Sequence, residues 1–112
     1  MPAPSAVSDA TFPRLVEQAP GLTLVDVWAP WCPPCLLLAP VIDRIATVYA
    51  ERVRVATLNV DECTETARRL GIRAIPTLLL WEHGRVIDSM DGAAPQAVVE
   101  AFLDRHLPPR AA

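Results

Sequence analysis

Between Leu22 and Cys35 the chain reads LTLVDVWAPWCPPC, and this stretch permits few backbones. Apolar and β-branched residues run through Trp28, with Thr23 and Asp26 as the polar exceptions, which is the pattern of a buried strand. Pro33 and Pro34 then rule out a central strand, since neither can donate to a ladder. Both suit the first turn of a helix, whose early amides have no intrahelical partner. A buried strand must therefore hand over to a helix within a few residues, with Cys32 and Cys35 astride the junction.

The rest of the chain fits around that junction. Ser8 and Asp9 read as an N-cap and an acidic first turn of a short helix to Ala19, ended by Pro20-Gly21. A short edge strand over Ala6–Val7 would precede it. After the junction, Leu38, Val41, Ile42, Ile45, Val48 and Tyr49 keep helical spacing, interrupted by Pro40, which should kink the helix. Val53–Val60 reads as a second strand and Thr64–Leu70 as a helix closed by Gly71. Thr77–Trp81 and Val86–Met90 read as a hairpin turning at Gly84. Pro95–Leu107 reads as a last amphipathic helix with Val98, Val99, Phe102 and Leu103 on one face. Strands alternating with helices imply a partly parallel central sheet covered on both faces.

If Cys32 caps the helix, Pro33 and Pro34 occupy its first two positions and Cys35 the third. The free amide of Cys35 then points back at the Cys32 sulfur. The helix dipole favours negative charge at the same place, so Cys32 should be the more acidic thiol. Cys35, one turn in, is shielded and close enough for a disulfide. Cys32 is thus read as the attacking sulfur and Cys35 as the resolving one. Three other readings of the pair stand beside this: half of a zinc site, a static disulfide, or an inactive relic. A zinc site needs four ligands, and Cys63, His83 and His106 supply no second paired spacing.

Composition narrows the function classes. A chain of 112 residues with 52% hydrophobic residues is one small domain with a real core. The net charge of -3 argues against nucleic-acid binding. All ten cations are Arg, so no lysine ammonium is available as a base. No run reaches the roughly 18 apolar residues of a membrane span. The start lacks the pattern of a signal peptide, and the odd number of cysteines is unlike a disulfide-stapled secreted domain. The expectation is a cytoplasmic protein, with no nucleic-acid or membrane partner, in which a close cysteine pair is more often catalytic or metal-binding than structural.

From Ser8 to Leu107 the chain resembles the thioredoxin family, through LVDVWAPWCPPC, LAPVIDRIA, LNVDE, GIRAIPTLLLW, HGRV and DGA. The resemblance implies the α/β thioredoxin fold: a central mixed sheet of four to five strands flanked by four helices. Residues 1–7 would be a loose lead-in, 8–107 the single domain and 108–112 a tail. It implies a monomeric protein-disulfide reductase serving cell redox homeostasis, with the Cys32–Cys35 disulfide as its redox group and neither metal nor bound cofactor. An NADPH-dependent, flavin-containing thioredoxin reductase would reload it, and disulfide-containing client proteins would be its substrates. By the same resemblance Cys32 matches the nucleophile, Cys35 the resolving cysteine and Asp26 a buried proton relay. An acid in an apolar strand should indeed have a raised pKa. Pro76 matches a cis-proline facing the disulfide, and the Ile75 backbone would pair with an extended substrate segment. Trp31 and Gly92 complete the expected substrate surface, Trp28 packs beneath it, and Gly84 is a turn residue. A more oxidising oxidase or isomerase of the same fold, or a non-catalytic binding subunit, is the alternative.

Three positions depart from the family pattern. Pro33 replaces the usual Gly, and together with Pro34 it stiffens the helix start, which should favour the Cys32 thiolate and a more oxidising couple. Leu36 stands where many relatives carry Lys, which works the other way and makes the rim apolar. Thr57 stands where many place Lys near the buried acid, so Asp26 should titrate higher still. Cys63, near a helix start, would have a somewhat lowered pKa, and its plain reading is a semi-buried small residue.

Overall fold

A computed structural model of the chain describes residues 3–109. The first two residues of the expected lead-in and the last three of the expected tail lie outside them. The elements are β1 (Ser5–Ala6), a π-helical turn (Pro13–Glu17), β2 (Leu22–Trp28), α1 (Pro33–Val48), β3 (Val53–Asn59), α2 (Thr64–Leu70), β4 (Thr77–Glu82), β5 (Arg85–Asp91) and α3 (Gln96–Asp104). The five strands form one sheet in the order β1-β3-β2-β4-β5. The β1, β3 and β2 ladders are parallel, while β4 and β5 run antiparallel. This is the α/β architecture of the thioredoxin fold.

Side-chain alternation along the central strand divides the core. Leu22 and Leu24 of β2 meet Val53 and Val55 of β3 and Leu78 and Leu80 of β4 on the face covered by α1 and α3. Val25 and Val27 face the other way, with Phe12, Val16, Leu79 and Trp81, under the π-helical turn. Phe12 and Trp81 meet edge to face, ring centroids 5.4 Å apart. A strand buried on both faces has no room for a polar alternate, which is why β2 reads as an almost continuous apolar run.

The hairpin turns on His83 and Gly84, both at positive φ (55° and 80°). That is the signature of a two-residue loop whose twist matches the strands. Gly71 ends α2 in the left-handed conformation expected of it.

Several elements differ from the sequence reading. The helix expected from Ser8 to Ala19 is a capped turn followed by the π-helical turn. Ser8 Oγ does accept from the Thr11 amide, and Thr11 Oγ1 accepts from the Ser8 amide. Pro13 has no N–H to continue an α-helical ladder, and the Gln18 amide instead reaches Pro13 O, five residues back. The first strand is Ser5–Ala6 rather than Ala6–Val7. Val48 and Val98 are both 47% exposed rather than in the core faces assigned to them; each sits about 100° round its helix from the buried neighbour at the next position. The last helix ends at Asp104, short of Leu107.

Asp9 does not serve its own turn. Its carboxylate accepts from the Thr66 amide and hydroxyl, 2.8 and 2.6 Å away. It thereby caps α2, whose own N-cap residue, Cys63, makes no side-chain cap bond. These bonds hold the Asp9 carboxyl below its usual range. Asp9→Ala should therefore lower the urea midpoint with unchanged slope. Among the described residues, no helix is long and apolar enough to cross a membrane.

Candidate active site

The central strand β2 delivers the chain to one end of the sheet, and the loop Ala29–Trp31 turns it into α1. Cys32 is the N-cap of α1, with extended backbone (φ -105°, ψ 104°), and its Sγ accepts from the Cys35 amide at 3.3 Å. Pro33 and Pro34 fill the first two helical positions, where a missing N–H loses nothing. The two sulfurs are joined, with Cα atoms 5.2 Å apart. Cys32 is 5% exposed and Cys35 1%, so what little access exists is on the Cys32 side. Among the described residues, no group of three or more His, Cys, Asp or Glu side chains is placed to hold a metal ion.

A second loop faces the pair. The Ile75–Pro76 peptide is cis, and Ile75 O lies 3.8 Å from Cys32 Sγ. Two contacts hold this loop. The Thr77 hydroxyl donates to Ala74 O at 2.6 Å, with Asp91 Oδ1 at 3.1 Å as a second acceptor. The Gly92 amide donates to Pro76 O at 2.8 Å. Gly92 has φ 87°, where a side chain is strained, and the space a Cβ would enter is open.

Trp31 stands over the site, 66% exposed, and its Nε1 donates to the Asp61 carboxylate at 3.0 and 3.2 Å. Asp61 is thirty residues away in sequence. Nothing local announces that partnership, and LNVDE gave no hint beyond its likeness to the family. Trp28 is half-buried and packs on the cluster of Ala29, Cys32 and Cys35. Leu36 and Leu37 extend the rim, 52% and 74% exposed, so the surface beside the disulfide is apolar.

Asp26 lies one strand residue beyond Val25, on the face that α1 covers. It is 3% exposed and its Oδ1 has no hydrogen-bond partner among the described residues. Burial alone pushes its carboxyl up to about 7. Thr57 is its direct partner across β2 and β3, so a longer side chain there would be adjacent to the carboxylate. An ammonium at that position would favour the charged form. Thr57→Lys should lower the Asp26 midpoint by about one pH unit, followed by carboxyl carbon NMR; an unmoved midpoint counts against the pairing.

Cys63 is not the slightly acidic thiol expected from its helix-start position. It is wholly buried, its thiol donates to Val7 O at 3.2 Å, and burial, with the Asp9 and Glu62 charges, pushes its pKa up. Desolvation outweighs a seven-residue helix whose N-terminus is already capped by Asp9.

A cystine at the mouth of a helix, following a strand that carries a buried acid and facing a cis-proline loop, defines a dithiol–disulfide exchange protein. The sequence profile of the Thioredoxin family matches residues 3–105. Thioredoxin 1 of Synechococcus elongatus is 45% identical over 103 residues, covering 92% of this chain and 96% of the relative. Thioredoxin 1 of a Nostoc species is 41% identical over 96% of this chain and all of the relative. The thioredoxin of Pseudomonas aeruginosa is 43% identical over 90% and 94%. The chain belongs to the thioredoxin family. With its cysteine pair intact it is a thiol–disulfide oxidoreductase that acts as a protein-disulfide reductase.

Proposed function

We propose that the chain works as a cytoplasmic, monomeric reductant of client-protein disulfides through Cys32. The Cys32 thiolate attacks one sulfur of the client disulfide, the client S–S bond breaks, and the leaving sulfur departs as a thiolate that takes up a proton. Cys35 then gives its proton to the Asp26 carboxylate, directly or through water, and its sulfur attacks Cys32 Sγ. The second client thiol is released, the client has gained two electrons and two protons, and the chain is left as the Cys32–Cys35 cystine. The observation that carries this reading is the Cys35 amide held 3.3 Å from Cys32 Sγ at the start of α1. A donor aimed at that sulfur, added to the helix dipole, stabilises the thiolate that must attack.

Asp26 suits the relay because a carboxyl titrating at about 7 exchanges protons readily at neutral pH. Trp31, Ile75, Pro76 and Gly92 form the client-binding surface. An extended client segment pairs with the Ile75 backbone and rests on Trp31 and the apolar rim. Pro33, Pro34, Trp28 and Thr57 tune the pair, the prolines by stiffening the first turn and Thr57 by withholding a positive charge from Asp26. The redox group is the chain's own cystine, without metal or bound cofactor. An NADPH-dependent, flavin-containing thioredoxin reductase returns it to the dithiol. The acidic net charge fits neither nucleic-acid nor membrane-surface binding.

The test is the reduction potential of the Cys32–Cys35 pair, by equilibration with a glutathione buffer. A value near about -270 mV, the one typical of thioredoxins, fits a reductant, whereas one near about -200 mV or above means an oxidising role.

A further inference from the structure

A second feature lies at the other end of α1 from the disulfide. β1 pairs only with Ala56 and Thr57 of β3, so among the described residues no strand covers the outer edge of β3 at Val53, Arg54 and Val55. A cavity of about 460 Å³ opens there, between the π-helical turn, the end of α1 and the first half of β3. That lies within the size range of ligand pockets. Its floor is apolar, with Leu15, Ala46, Val53 and Val55. Two arginines, Arg14 and Arg54, stand in its wall, and no Asp or Glu lines it.

Among the described residues neither arginine meets an acid. Arg54 donates to Pro20 O, a carbonyl without charge. Among the described residues neither Arg14 nor Arg54 forms an ion pair; Glu17, on the same turn as Arg14, is engaged by Arg69. Arg54 also borders a smaller cleft that holds Glu51 and Arg52, so one acid is near without lining the cavity. Thr23 is in the wall as well, 2% exposed, and its hydroxyl lacks a hydrogen-bond partner among the described residues. A buried hydroxyl without a partner is rare in native structures.

We propose that this cavity is a second binding site, separate from the redox centre, for a small organic anion: a carboxylate or phosphate head on an apolar body. The guanidiniums of Arg14 and Arg54 engage the head, since charge-assisted bonds to planar anions are what arginine does best. The apolar floor takes the body.

The test is a backbone and arginine side-chain NMR titration of the whole chain with 2-naphthoate and, separately, 2-naphthyl phosphate. Saturable shifts at Thr23, Val55 and the Arg14 and Arg54 side chains are expected. Arg14→Gln combined with Arg54→Gln, both exposed changes that leave the core intact, should weaken binding about tenfold or more, and neutral 2-naphthalenemethanol should bind as poorly to the parent. The tighter of the two anions identifies the head group. Shifts confined to Trp31 and Leu37, no saturable shifts, or equal affinity in the double variant would each overturn the proposal. Disulfide reductase turnover should be unchanged in the double variant.

Discussion

Replacing Cys35 by serine should turn the chain into a covalent trap. Cys32 keeps its place at the start of α1 and still attacks, but no internal thiol follows to displace the client. The mixed disulfide then persists until an outside thiol finds a sulfur that is only 5% exposed. Well-oriented internal nucleophiles reach effective molarities of ~10⁵ M or higher, so loss of Cys35 against millimolar external thiol should lower turnover at least ~10³-fold. Non-reducing mass spectrometry should show one client joined per chain at Cys32, and Cys32→Ser should show none. Turnover retained in Cys35→Ser, or a client joined at Cys63, would contradict the assignment of attacker and resolver.

The second large effect concerns Asp26. Its carboxyl is buried without a charged partner and is raised to about 7 by burial alone, against 3.8 for an ordinary carboxyl. In the pH window between those values the folded chain holds a proton that the unfolded chain has released. Stability is therefore fully present below the unfolded pKa, falls as pH rises through the folded one, and levels off above it. The shift corresponds to about 4 kcal/mol. Asp26→Ala removes this dependence while leaving a small cavity that costs the same at every pH. The variant's stability relative to the parent should therefore rise by about 4 kcal/mol from about pH 4 to about pH 8, measured by urea unfolding at each pH. On the proposed relay through Asp26, its reductase activity should fall and the limb of the rate profile near pH 7 should disappear. A difference between variant and parent that stays constant from about pH 4 to about pH 8 would mean that the carboxylate is solvated or paired in the folded state.

These two residues were both legible in the sequence, for related reasons. An acid inside LVDVW has nowhere to go but the interior, and two prolines between two cysteines permit a helix start and little else. β2, α1 and the β4–β5 hairpin came through because their signals are local: a run of apolar residues, a 3.6-residue spacing, a glycine able to take positive φ. The first helix was legible in place but not in form. Ser8 and Thr11 cap as their types suggest, but Pro13 breaks the ladder one turn later, and local propensity alone could not say that the chain would settle into a π-helical turn.

What stayed hidden depends on which distant residues the sheet brings together. Asp9 looked like a first-turn acid and instead caps α2, fifty-seven residues on. Asp61 holds the indole of Trp31 only because β2 and β3 run parallel and end side by side. Thr77 and Gly92 brace the loop that faces Cys32 through the antiparallel pairing of β4 with β5. Cys63 has a raised pKa, not a lowered one, because the folded chain buries it, with the segment at Val7 lying against its thiol. Arg14 and Arg54, forty residues apart in the chain, share a cavity because β1 is too short to cover β3. Local pattern determined most of the elements, the cysteine pair at a helix start and the buried acid, since each follows from the chemistry of a few consecutive residues. Strand order and register decided the partners of those groups, since charge, burial and hydrogen bonding between remote segments exist only once the sheet is assembled.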